Sequence, residues 1–159
     1  MPEHKIFQKI ISGGQTGADQ GALDAALELN YPCGGWCPCG RKSEAGSIPE
    51  RYPLQEHQSQ DTADRTRANV LDSDGTLIFF YREPIGGTLY TLELARHHHK
   101  PFYLVDLEQA VPNRELDRIW NWGRKNRVYV LNIAGPRESK NPGVSGEVKK
   151  ILLNLLLRG

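Results

Sequence analysis

Cysteine is scarce in this chain and is confined to one short stretch. Its three cysteines, Cys33, Cys37 and Cys39, are an odd number within a few positions of each other, which is not the pattern of a secreted disulfide framework. Structural zinc normally needs a second pair of ligands beside such a cluster, and the sequence offers none. We therefore predict free thiols and no metal site, while the role of the three cysteines stays open.

Long apolar runs and net charge are also missing. The longest apolar stretch, residues 151–157, is interrupted by Asn154 and is too short to cross a bilayer. The first residues lack the apolar region of a secretory signal, so we expect a cytoplasmic protein that does not bind membranes. The formal net charge of +1 provides no overall field to attract nucleic acid. Any preference for anions must come from local groups.

Predicted strands and helices alternate along the 159 residues. The strands are predicted at residues 5–12, 31–37, 75–81, 101–105 and 128–134, and the helices at 17–30, 63–71, 86–98, 113–125 and 144–157. This alternation predicts an α/β fold: a single Rossmann-like three-layer domain over residues 1–159, with a mostly parallel sheet of about five strands and helices on both faces. Residues 40–62 lack periodicity and are predicted to be a lid or a disordered segment.

A glycine loop follows the first predicted strand and leads into the first helix. Its candidate ligand-binding residues are Gly13, Gly14, Gln15, Thr16, Gly17 and Asp19. Glycines let the backbone approach a ligand closely, and a helix N-terminus favours an anion; Thr16 is predicted to cap the helix together with Asp19. No lysine follows as in a P-loop, and the dinucleotide spacing with its acidic residue is absent, so NAD is not expected.

Two further loops follow the third and fifth predicted strands. The first contains Gly86, Gly87 and Thr88, with Thr88 as a candidate cap, and the second spans residues 135–143. In the second loop, the planar guanidinium of Arg137 can donate two hydrogen bonds to an oxyanion, and the ammonium of Lys140 adds a positive charge. Glu138 and Ser139 are also predicted ligand residues. Because the carboxyl ends of parallel strands meet at one edge of a sheet, we expect the three loops to converge there.

Other candidates lie outside the loops. Arg65, on the helix before the third strand, can reach the same cleft, Trp36 offers a stacking face, and Arg41 belongs to the predicted lid. In the last helix, Leu153 and Leu157 lie off the apolar stripe, which predicts a homo-oligomer formed through residues 144–158.

The sequence contains acid–base candidates without a recognisable catalytic arrangement. Asp19 and Glu93 are the carboxylates that would serve in an enzyme. A binding protein for an anionic small molecule is the favoured interpretation. A nucleotide hydrolase and a ligand-sensing module remain alternatives.

Several sequence blocks together resemble the family named "putative molybdenum carrier". They are ISGGQTGADQGALDAAL, GGWCP, RYPL, DSDGTLI, GGT and LNIAGPRESK, in this order along the chain. The resemblance implies a Rossmann-like fold related to molybdenum cofactor carriers and, more remotely, to nucleotide phosphoribohydrolases. It also implies that the phosphate of molybdopterin, or of a nucleotide-like ligand, binds the glycine loops, with an oxoanion near Arg137 and Lys140. The phosphoribohydrolases carry the motif Pro-Gly-Gly-x-Gly-Thr-x-x-Glu. Gly86, Gly87 and Glu93 keep its spacing, but Leu89 stands in place of the third glycine and the threonine is displaced to Thr88 or Thr91.

Overall fold

The structure is a computed structural model that describes residues 5–158, and five parallel strands form its main sheet. The strands in chain order are β1 Lys9–Ile11, β2 Cys33–Gly34, β3 Trp36–Cys37, β4 Lys42–Ser43, β5 Gly46–Ser47, β6 Gln55–Glu56, β7 Gly75–Phe80, β8 Phe102–Asp106 and β9 Val130–Ala134. The main sheet has the order β2-β1-β9-β7-β8, so the last strand of the chain lies in its centre. The predicted fold class is confirmed.

Five helices cover the two faces of this sheet. They are α1 Ala18–Glu28, α2 Thr62–Asp72, α3 Gly86–His97, α4 Asn113–Lys125 and α5 Val144–Leu156. Helices α1, α4 and α5 share the larger apolar core, whereas α2 and α3 pack together in a separate cluster. The helices that follow β1 and β7 thus lie on opposite faces, which creates a topological switch point around β9.

Strand β7 shows why the centre of the sheet was predictable. Leu77 and Phe79 join the core with α1, α4 and α5, while Ile78 between them packs against Leu92 of α3. A strand that is buried on both faces typically has a continuous apolar sequence. The sequence GTLIFF of β7 has this character.

The predicted strand at 31–37 is wrong in one respect, because it is two strands. Gly35 has φ 125°, and a Cβ atom there would lie 2.2 Å from the carbonyl oxygen of Ser12. The chain therefore turns at Gly35: β2 stays in the main sheet, and β3 pairs with β6 in a separate two-stranded sheet.

Residues 40–62 have a defined path. Strands β4 and β5 form an antiparallel hairpin, and β6 runs parallel to β3. Ile48 and Tyr52 are buried against Leu23 and Cys37 and anchor the segment to the body of the protein. The segment is not structureless, and its role as a lid remains a prediction.

Helix α5 buries one stripe against the core. Leu153 is half-buried against the same core, and Leu157 is 69% exposed. Contact between subunits through residues 144–158 therefore remains a prediction. Within residues 5–158, no helix is both long and apolar enough to cross a membrane.

Candidate functional site

A cavity of about 620 Å³ lies at the carboxyl ends of β1, β9 and β7. Its size is within the usual range for small-molecule sites, and its position at the switch point is where ligands bind in open α/β sheets. The three predicted loops all contribute to its wall. Of the predicted ligand residues, those that line the cavity are Gly13, Gln15, Asp19, Arg65, Gly86, Gly87, Thr88, Arg137 and Lys140.

Gly13 allows Arg65 to lie directly against the backbone of the first loop. A Cβ atom at Gly13 would be 1.8 Å from an Nη atom of Arg65, so only glycine leaves room for the guanidinium in this position. The same guanidinium lies 3.5 Å from a carboxylate oxygen of Asp19, and both side chains are largely buried. The Nε atom of Arg65 is buried without a hydrogen-bond partner among residues 5–158. An unpaired buried donor is unusual in a folded protein, and Arg65 itself lines the cavity.

Burial controls the protonation of Asp19. Desolvation raises the pKa of Asp19 from 3.8 to about 6, against the opposing effects of Arg65, of the backbone amides of Gln15 and Gly13, and of Arg137. The amide of Gln15 donates to the carboxylate over 3.2 Å. Asp19 therefore changes its charge close to neutral pH, at a position where it contacts the cavity.

The N-terminus of α3 forms the opposite wall. Its cap position is Ile85, which supplies no side-chain hydrogen bond, so the prediction that Thr88 caps the helix is wrong. The amide of Thr88 donates to the carbonyl of Ile85, and its side chain is buried in the first turn. A Cβ atom at Gly86, which has φ 55°, or at Gly87 would meet no other atom within 4 Å. The backbone of this turn is therefore open to the cavity that both glycines line.

The first and third loops are pressed together at Gly17. Gly17 occupies the cap position of α1 at φ 85°, so the prediction that Thr16 caps this helix is also wrong. A Cβ atom at Gly17 would lie 2.3 Å from the carbonyl oxygen of Pro136, and that oxygen accepts a hydrogen bond from the amide of Ala18. The close backbone contact fixes Arg137 relative to the first loop.

Replacing Gly17 with alanine is expected to destabilise the protein by roughly 2–4 kcal/mol, because the side chain would require a left-handed conformation and collide with backbone. Urea unfolding measures the loss. Gly146→Ala is the control: it is the third residue of α5 and has no atom within 4 Å of its Cβ position, so we expect a gain of at most about 0.5–1 kcal/mol. Equal stability of the two variants would contradict the close contact.

Two predicted ligand residues of the third loop are engaged within the chain. The carboxylate of Glu138 accepts hydrogen bonds from the amides of Gly143 at 2.6 Å and Ser145 at 3.0 Å, so it occupies the N-terminus of α5. Ser139 donates its amide and its hydroxyl to Glu44 in the β4–β5 hairpin. Neither Glu138 nor Ser139 lines the cavity.

Thr16 binds the same carboxylate of Glu44. Its hydroxyl donates to Glu44 and accepts a hydrogen bond from the amide of Glu138 over 3.2 Å. Hydrogen bonds from Ser139, followed by the one from Thr16, lower the pKa of Glu44. Glu44 is thus a carboxylate that sequence analysis did not select, held by groups predicted to bind a ligand.

Arg41 and Trp36 do not line the cavity. The guanidinium of Arg41 donates to four carbonyl oxygens of its own segment, at distances of 2.8–3.4 Å, and shapes the turn before β6. The indole of Trp36 donates to Asp72 over 2.6 Å, and its backbone is bridged by Asn69. Gly14 packs against Leu54 and Ile48 and also lies outside the cavity lining.

Glu93 is exposed and is absent from the cavity lining, so Asp19 is the acid–base candidate that reaches the cavity.

The three cysteines are free thiols, and burial raises the pKa of Cys33 and of Cys37. Residues 5–158 contain no cluster of three or more histidine, cysteine or acidic side chains arranged to hold a metal ion.

Part of the cavity wall consists of residues that the sequence patterns did not indicate. Asn132 is buried in the central strand β9, lines the cavity and donates to the hydroxyl of Thr76 over 3.3 Å. A polar residue within an apolar central strand was the available signal. Ile85 and Tyr81 also line the cavity, and their apolar character gave no comparable indication.

The fold and the cavity define a Rossmann-like α/β protein with a small-molecule cavity at the switch point of its sheet. The chain belongs to the circularly permutated YpsA SLOG family, whose model matches residues 10–156. It is also similar to a crystal structure from Syntrophus aciditrophicus described as "Putative molybdenum carrier protein", with 43% identity, a TM-score of 0.92 and coverage of 98% of each chain. No curated protein gives a significant match.

Proposed function

We propose that the protein binds and carries the molybdenum cofactor, or a similar phosphorylated anionic small molecule, as cargo in the cytoplasm. The observation that carries the proposal is the convergence of two glycine turns, the buried Arg65 and the third loop on one cavity of about 620 Å³. The name given to the 43% identical structure supports the same class of cargo. The three free cysteines fit a reducing compartment.

The charges around the cavity favour an anion. Three cationic side chains line it, Arg65, Arg137 and Lys140, against the carboxylates of Asp19 and Glu83. When Asp19 is protonated, the excess of positive charge grows by one. The cations are local, so they provide the anion preference that the net charge of +1 does not.

Each part of the wall has a distinct proposed role. Arg65, packed on Gly13, binds phosphate oxygens on one side, and the open amides of Gly86 and Gly87 bind them on the other. Arg137 and Lys140 neutralise the remaining charge. The apolar residues Ile85, Phe80 and Ile133 also line the cavity and contact the body of the ligand.

A nucleotide hydrolase is the second candidate, and one observation favours it. The pKa of Asp19 is about 6, which is near the value that suits a general acid or base at neutral pH. Under this alternative Asp19→Asn abolishes turnover of a nucleotide and keeps its binding. Absence of turnover in the wild-type protein excludes it.

Native mass spectrometry of the freshly purified protein, with elemental analysis for molybdenum, tungsten and phosphorus, tests the proposal. We expect a bound phosphorylated species, and a pterin that carries molybdenum or tungsten would establish cofactor carriage. A bound nucleotide without either metal would favour the second candidate. A bound species that contains no phosphorus or other oxyanion would contradict both.

A further inference from the structure

The β4–β5 hairpin is attached to the first and third loops through one side chain. Glu44 donates its amide to the side-chain carbonyl of Gln15 over 2.9 Å, and its carboxylate accepts from Thr16 and from the amide and hydroxyl of Ser139, at 3.1 Å and 2.5 Å. Arg137 lies 3.9 Å from the same carboxylate. The other side-chain hydrogen bonds in the described part of the hairpin, those of Ser43, stay within it.

The groups around Glu44 are those of an oxyanion site. Two hydroxyls, one backbone amide and one guanidinium converge on the two oxygens of a single carboxylate. Each of these groups can also donate a hydrogen bond to an oxygen of phosphate or molybdate. Glu44 supplies the negative charge from within the chain. Arg137 connects this group to the main cavity, because it lines that cavity as well.

We propose that Thr16, Arg137 and Ser139 form a second oxyanion site beside the main cavity, closed in this structure by Glu44. An oxyanion of the phosphate or molybdate class takes the place of the Glu44 carboxylate, and the hairpin opens when it does. The biological ligand rests on the proposed function, but the site itself can be tested with inorganic phosphate alone.

The hairpin is built so that opening disturbs little else. Its strands are two residues each, and residues 42–47 contain no buried apolar side chain. Such a short hairpin has little stability of its own. Immediately outside it, Ile48 is buried and Arg41 is fixed by four carbonyls. These anchors favour movement of the hairpin alone, and the side-chain hydrogen bonds that such opening breaks are those of Glu44.

The contacts of Glu44 with its partners allow a free oxyanion to replace its carboxylate. The side chain of Arg137 is 44% exposed and that of Glu44 is 18% exposed, so water reaches the arginine, and an ion pair as long as 3.9 Å contributes little stability. A dianion with more oxygens than a carboxylate can satisfy the same donors and add charge. Glu44 accordingly acts as an internal competitor that sets the affinity of the site.

The test is calorimetric titration with inorganic phosphate at constant ionic strength. Removal of the competitor in Glu44→Ala is expected to tighten phosphate binding by about tenfold, as it would if the site is open in roughly a tenth of the wild-type molecules. Glu50→Ala is the matched control, because Glu50 is an exposed carboxylate of the same segment and its loss changes the net charge equally. We expect wild-type affinity for this control.

Ser139→Ala locates the effect. Added to Glu44→Ala, it removes the hydroxyl donor and is expected to cancel most of the tenfold gain. Glu44→Gln keeps the shape of the side chain without its charge, so it provides the test if the alanine variant does not fold; it should also bind phosphate more tightly than wild type. In wild type, phosphate should accelerate amide hydrogen exchange in residues 42–47.

Unchanged or weaker phosphate binding by both Glu44 variants overturns the inference, as does a gain that Glu50→Ala reproduces or that Ser139→Ala leaves intact. These outcomes leave the proposed function standing if a phosphorylated species is still found with the protein and its retention depends on Arg65. Conversely, the tenfold gain without any species bound in the main cavity supports the second site and contradicts the proposed function.

Discussion

Replacing Arg65 with methionine is expected to lower the affinity for a nucleoside monophosphate, used here as a phosphate-ester probe, by about 10- to 100-fold. Arg65 lines the cavity with its side chain largely buried, and a hydrogen bond from its guanidinium to a charged group contributes about 1.5–3 kcal/mol. Methionine keeps much of the length and apolar volume of the side chain. Fluorescence or calorimetric titration provides the two dissociation constants.

The control for Arg65 is Arg67→Met, on the same helix and exposed to solvent. This variant loses the same charge at a position that does not line the cavity. Its affinity for the nucleoside monophosphate should therefore stay within about twofold of wild type, as expected when a screened surface charge is removed. If Arg65→Met binds the probe as tightly as Arg67→Met does, the phosphate does not bind at Arg65.

Replacing Asp19 with asparagine is expected to remove a pH dependence of stability worth about 3 kcal/mol. Burial raises the pKa of Asp19 from 3.8 to about 6. A pKa shift of this size corresponds to a change of about 3 kcal/mol in the free energy of unfolding across the full titration. A raised pKa means that the folded state binds the proton more tightly than the unfolded state. The stability that the protonated carboxyl contributes is therefore complete below about pH 4 and is lost as the pH rises through about 6.

The measurement is the free energy of unfolding in urea for wild type and Asp19→Asn at several values between pH 4 and pH 7. The variant should gain stability relative to wild type by about 2.5 kcal/mol between pH 4 and pH 7, and other titrating groups cancel in this comparison. Asp64→Asn, at an exposed carboxylate in the first turn of α2, is the control for the loss of one surface charge, and we expect it to change the free energy of unfolding only slightly. If the stability difference between wild type and Asp19→Asn does not change with pH, the pKa of Asp19 is not raised by burial.

The sheet and the general position of the cavity were predictable because they follow from local patterns. A continuous apolar run such as Gly75–Phe80 and the glycines after it report directly on burial and on a strand end. The convergence of Gly13, Gly86 and Arg137 then follows from the parallel arrangement of the strands. Helix caps were less predictable, since Gly17 takes the cap position at positive φ that the pattern assigned to Thr16.

The partners of the loop residues could not be predicted from the sequence. Glu44 is 28 residues from Thr16 and 95 from Ser139, so their contact depends on how the segment at residues 40–62 folds back. The same applies to Arg41, whose charge suggested a ligand contact but whose guanidinium satisfies carbonyls of its own turn. Single-sequence patterns identify which side chains can bind an anion, whereas tertiary contacts decide which of them remain available.

The proposed function depends on phosphate binding between the first and second glycine turns and Arg65. The most direct test is an amide chemical-shift titration of the uniformly ¹⁵N-labelled protein with a nucleoside monophosphate. We expect the largest shifts at Gly13, Gly86 and Gly87, and we expect Arg65→Met to remove them. Shifts that avoid all three glycines, or that persist unchanged in the Arg65 variant, would contradict the proposed function.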